Sequence, residues 1–235
     1  MQFTEPDIAL DLQVSEPVDA AVLAVLQRDL DAMANVLGQW GRFNRPVSLR
    51  TTLRQDDLRA AAPCETELHL HGVASVDGLL LWAPSAWPHP PAAHELARLL
   101  LHELAHVLLF QRCAAPGTAM AYIPTWFREG MAVVAADGPQ PPHLRRSLAA
   151  HPLLDELPGA SDAVMTQATD ACYQAAALIF QAWSERFGAR GLSALCRAMR
   201  LGHGFAAAHA SACGMSDAEF VDEWLLAVRA EARSS

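Results

Sequence analysis

An α+β fold, with a small mixed sheet in the N-terminal part and a mostly helical remainder, is the class that this 235-residue sequence predicts. Three observations predict it. Short apolar stretches between turn formers fill residues 47–82, apolar positions at helical spacing run through residues 92–230, and the proline-rich segment APSAWPHPP at 83–91 separates the two. The division that follows is an N-terminal helix and small β-sheet subdomain over residues 1–90, and a helical subdomain over 91–235, together one compact domain.

Each element has its own signal. Pro17 to Leu37 reads as a helix because Val22, Val25, Leu26, Leu30, Met33 and Leu37 recur on one face, and Gly38 and Gly41 end it. Strands are expected at Val47–Leu53, Glu67–His71 and Leu79–Trp82, with Val76-Asp77-Gly78 as a turn. Pro91 suits the first turn of the next helix, Ala92–Arg112. Further helices are expected at Trp126–Ala136, Ala171–Phe187, Gly191–Arg200, Phe205–Ala212 and Asp217–Ala230. Ser216 and Glu219 form a capping box for the last of these. Ala114–Thr125 and Asp137–Asp170 read as long loops, a length at which loops are often functional.

Composition narrows the function classes. The formal charge is −9 and no basic block or basic-aromatic stripe stands out, which argues against a nucleic-acid partner. The most apolar run, Leu99–Phe110, is interrupted by His102, Glu103 and His106, so no membrane-spanning segment is expected. Five cysteines, Cys64, Cys113, Cys172, Cys196 and Cys213, show no CxxC pair and read as reduced thiols. With no secretory signal visible in MQFTEPDIALDLQ, the expected location is the cytoplasm.

Chemistry concentrates in HELARLLLHELAH at 94–106, where the tetrapeptide HELA occurs twice. On a helix, positions i and i+4 lie about 40° apart on one face, so His102 and His106 can each offer one imidazole nitrogen to the same ion. Glu103 then stands beside that ion, able to reach a bound water without being a ligand. The first copy closes on Arg98, a cation that cannot coordinate another, and His94 lies roughly 12 Å from His102 along the axis. It reads as an ordinary residue of the first helical turn.

A third ligand is needed. A metzincin would place Gly and His three and six residues after the second histidine, where this chain has Leu109 and Arg112. The GTxD pattern of an aspzincin meets Met120 in Gly117-Thr118-Ala119-Met120, and the EGCLS context of peptide deformylase is not that of Cys64, in APCET. What remains is TWFREGMAVVA at 125–135. With HELAH upstream, its Trp126, Glu129, Gly130 and Ala132 resemble the HExxH and W-x-x-E-G-x-A motifs of the gluzincin metallopeptidases, most closely their compact peptidase-MA-like members. The resemblance covers roughly residues 66–230. It extends to Tyr173 through Trp183, Glu185 through Gly188, Gly214 through Ser216, and Trp224.

That resemblance implies a zincin-type helical part and one Zn²⁺ per chain, held by His102, His106 and Glu129, with Glu103 as general base. It also favours Tyr173 as an oxyanion-stabilising residue over Tyr122, while His143 and His151 are further candidates. The strand Gly78–Trp82 resembles the edge strand that borders the cleft in this fold, so the implied partner is a peptide or protein bound as an added strand. One departure stands out: where thermolysin-like relatives carry an Asp four residues after the ligand Glu, this chain has Val133, which leaves Asp137 as a candidate to orient a histidine. The expected activity is hydrolysis of peptide bonds. A catalytically idle relative that binds a protein segment, and a zinc hydrolase of a non-peptide amide, are the alternatives.

Overall fold

A computed structural model describes residues 10–61, 71–115, 122–149, 151 and 170–233. The chain divides into two compact units, Met1–Arg112 and Cys113–Ser235. The first holds the sheet and the second is helical, so the α+β class predicted from sequence is the class observed.

In the first unit, strands β1 (Leu12–Val14), β2 (Val47–Thr52), β3 (Gly72–Ala74) and β4 (Gly78–Trp82) form a mixed sheet in the order β1-β2-β4-β3. β1 pairs parallel to β2 and β2 parallel to β4, whereas β3 pairs antiparallel to β4 with Val73 opposite Leu80. Helix α1 (Ala20–Gly38) makes the crossover that the parallel β1–β2 pair requires. In β2 the alternation is visible in burial: Val47 and Leu49 are fully buried, and Arg50 is exposed. Gly78 stands opposite Ser48, where a Cβ would lie 2.0 Å from the Ser48 carbonyl oxygen, so only glycine lets β4 begin in this register.

β4 was expected to be the edge strand, and it is not: it runs between β2 and β3. The Val76-Asp77 turn, closed by Ser75 and Gly78 exchanging backbone hydrogen bonds, folds the chain back so that β3 covers the outer side of β4. Among the described strands the edge on this side is therefore β3. The expected strand Glu67–His71 lies outside the described residues except for His71, whose carbonyl accepts from Trp82 N–H at 2.9 Å. Helix α2 (Gln55–Ala61), which the sequence reading did not assign, sets the buried Leu58 against β2, β3 and β4.

Two anchors position the elements of this unit. Asp19 caps α1 by accepting from Ala21 N–H at 2.9 Å; its other carboxylate oxygen accepts from Ser85 N–H at 3.0 Å, at the 3₁₀ turn Pro84–Ala86. Burial pushes this carboxyl's pKa up, but the hydrogen bonds from Ser85, Ala21 and Val22 together outweigh it and hold the pKa below the usual range. At the far end of α3 (Ala93–Cys113), the buried Gln111 side chain accepts from the backbone N–H groups of Asn44 and Arg45 at 3.0 and 3.2 Å. Arg112 donates to the Trp40 carbonyl, and its guanidinium fills the space beside Gly41 that a Cβ would need.

The second unit contains α4 (Thr125–Asp137), α5 (Pro142–Ala149), α6 (Asp170–Arg200), α7 (Phe205–Cys213) and α8 (Asp217–Arg233). Its core is aromatic. Trp126 and Phe127 of α4 meet Phe180 and Trp183 of α6, Phe205 of α7 and Phe220 of α8, mostly edge to face. Gly130 lets α4 and α6 approach closely, because a Cβ there would lie 2.2 Å from the Ala176 carbonyl oxygen. α6 joins the two helices expected at Ala171–Phe187 and Gly191–Arg200, and Gly188, with φ 58°, marks the break between them. Ser216 and Glu219 make the expected capping box: Ser216 N–H donates to the Glu219 carboxylate at 2.7 Å, and Glu219 N–H to Ser216 Oγ at 3.2 Å.

α5 corrects the expectation of an unbroken loop over 137–170. Pro142 occupies its first position, where a missing N–H costs nothing, and Leu148 is buried as α5 packs against α8 and α6. Among the described residues no helix is long and apolar enough to cross a membrane.

Candidate metal centre

α3 begins with a local cap. Pro91 precedes it, and the Glu95 carboxylate accepts from Ala92 N–H at 2.7 Å. The first HELA copy thus uses its acid to close the helix start, and His94 beside it is exposed. Two turns later the helix is buried: Glu103 is 9% exposed and His106 7%.

His102 and His106 stack up the same face as the i, i+4 spacing requires, with ring centroids 4.8 Å apart and nearly perpendicular. Their Nε2 atoms are 3.2 Å apart. Two imidazoles bound to one tetrahedral zinc at ~2.05 Å have nitrogens about 3.3 Å apart, so this pair already has the edge length of such a site. Phe110 stacks on the His106 ring at 5.9 Å and 16°. Gly72 of β3 lies against Glu103, for a Cβ there would stand 3.0 Å from both its Cγ and its Cδ.

Glu129 sits in the first turns of α4, its side chain 17% exposed. Arg128 pairs with its Oε1 through Nε at 3.3 Å and donates from Nη2 to Thr125 Oγ1 at 3.1 Å. The donor atoms of His102, His106 and Glu129 lie within 4.8 Å of one another, the one such group of three among the described residues. Two neutral imidazoles and a carboxylate suit Zn²⁺ and leave room in its tetrahedron for a water.

The other residues named from sequence fall into two groups. Tyr173 lies half-buried in the first turn of α6, one turn before Ala176, the residue against which Gly130 packs; the neighbour of Glu129 thus stands one helical turn from Tyr173. Tyr122 is 57% exposed, and His94, His143 and His151 are exposed. Asp137 ends α4 in an exposed position, two helical turns beyond Glu129. Cys64 lies outside the described residues.

Sequence reading passed over Gly72 and Arg128. A glycine inside a strand is a recognised sign of close approach, so Gly72 carried a usable signal. Arg128 carried none beyond its place next to Glu129. Comparison of the chain with known protein families and with curated proteins finds no match.

Proposed function

We propose that this protein is a zinc-dependent metallopeptidase of the gluzincin type, with Zn²⁺ held by His102, His106 and Glu129. The observation that carries the reading is the convergence of those three donors, with Glu103 one residue along the same helix from His102. Zinc bound there would supply a Lewis acid that makes water a nucleophile at neutral pH and polarises a carbonyl. Glu103 takes the proton of the attacking water and returns it to the leaving amine. Its near-complete burial restricts its motion, and β3 walls it on the Gly72 side. Tyr173 is the candidate donor to the oxyanion.

The substrate class is a peptide or protein segment. It is taken as an extended strand along β3, the described edge next to Glu103.

Elemental analysis of protein purified without chelator and refilled with limiting Zn²⁺ tests the metal centre. One zinc per chain is expected, much weakened in Glu129→Ala. A chain that retains none in its intact form overturns the reading. Peptide hydrolysis that survives Glu103→Ala overturns the mechanism while leaving the metal site standing.

A further inference from the structure

We propose that Cys113 and Cys196 form an oxidisable dithiol, a modification site that closes to a disulfide when the protein meets a small two-electron oxidant of the peroxide class. The two sulfurs are 2.9 Å apart, less than 1 Å beyond a disulfide bond of about 2.05 Å. Both side chains are almost fully buried, at 2% and 1% exposure. Cys113 is the last residue of α3, and Cys196 lies in the second half of α6 among the buried Leu192, Leu195 and Met199. Closing the gap needs less than 1 Å of sulfur movement, within the reach of small side-chain rotations.

The pair stands apart from the proposed metal centre. Cys113 follows His106 by seven residues, roughly 10 Å along the helix. Burial bars bulky disulfide reagents, so the oxidant is a small peroxide that reaches the sulfurs during brief local opening of the packing. One thiol attacks a peroxide oxygen as its proton passes to the departing hydroxide, which gives a sulfenic acid and one water. The second sulfur displaces hydroxide from the first, and the sum is two thiols plus hydrogen peroxide giving one disulfide and two waters. The ring closed by the new bond contains Glu129 and Tyr173, and a loop of that length confers a large gain in stability.

The full-length native chain is to be treated with hydrogen peroxide, blocked with a thiol alkylating reagent, digested and mapped without reduction. The expected product is one linked peptide pair containing Cys113 and Cys196, two hydrogens lighter than the reduced peptides. Its melting temperature should rise by on the order of 10 °C and fall back with reductant. Cys113→Ser should abolish that rise and Cys213→Ser leave it in place. Five thiols still titrating after treatment, a different pair, or the same pair formed only in denatured protein would each overturn the proposal. The mapping uses the unmutated chain, so its outcome does not depend on whether a variant folds, and it requires no zinc or peptidase activity.

Discussion

The two HELA copies of α3 have the same four residues and different surroundings. In the first, Glu95 satisfies a backbone N–H at the helix start and His94 points to solvent. In the second, Glu103 is buried against the edge strand and His102 shares a face with His106, their Nε2 atoms 3.2 Å apart. A helix N-terminus exposes unsatisfied donors and attracts a carboxylate, whereas two turns further in every backbone group is paired and a carboxylate has to find another role. Position along one helix, more than residue identity, separates a cap from a candidate base.

The most drastic way to break this comparison is to delete one histidine from each copy. His106→Ala should abolish stoichiometric zinc retention, and His94→Ala should leave it intact, as read by elemental analysis after dialysis. Next in size is the paired change of the acids. Glu103→Gln should lower peptide turnover by roughly 10²–10⁴-fold with zinc retained. Glu95→Gln should leave turnover unchanged and cost at most about 1 kcal/mol of stability by thermal melts. Equal losses from the two would sink the distinction.

Gly72 sharpens the comparison from the strand side. Gly72→Val sets a branched side chain on a Cβ only 3.0 Å from Glu103 Cγ and Cδ, which pushes that carboxylate aside, and should cost roughly 10²-fold in kcat, since displacing a catalytic group by about 1 Å has that effect. Zinc content and fold, checked by elemental analysis and circular dichroism, should be preserved. Unchanged kcat would show that β3 does not set the position of Glu103.

The smallest effect comes from a buried histidine of another kind. His209 is fully buried; its Nε2 accepts from Trp183 Nε1–H at 2.9 Å and its Nδ1–H donates to the Met215 carbonyl at 2.7 Å, so neither nitrogen is open to a metal. Desolvation lowers its pKa, against smaller raising effects from the Met215 hydrogen bond and from Asp217. With the folded-state pKa below 6.5, the unfolded chain binds the extra proton first as pH falls. Stability is therefore lost from about pH 6.5 downward until the folded-state pKa is passed, and no further below it. NMR titration of the imidazole should show the neutral Nδ1–H tautomer taking up its proton below pH 6.5, and a midpoint at or above that pH would refute this account.

Legibility from sequence followed the range of the interaction. α3, α4 and the capping box at Ser216–Glu219 were readable because helical periodicity and capping act within four residues. α5 was hidden by Pro141-Pro142 and a charged middle; its one signal, the i, i+4 pair Leu144 and Leu148, gains meaning only from the helices it packs on. Placing β4 at the edge failed for a similar reason. Its apolar run GLLLW reports burial of its faces and says nothing of which edges are paired, and the partner on the outer side is a three-residue strand too short to announce itself.

By itself, then, the sequence determined the α+β class, the helices, and the His102–His106 pair with Glu103 beside it, all consequences of backbone geometry repeated every few residues. Only the tertiary structure decided that β3 lies against Glu103, that the Glu129 donor falls within 4.8 Å of the two imidazoles, and that Cys113 meets Cys196. Those contacts join residues 23 to 83 positions apart in the chain. Close packing sets them, and packing depends on every side chain in between rather than on any local pattern.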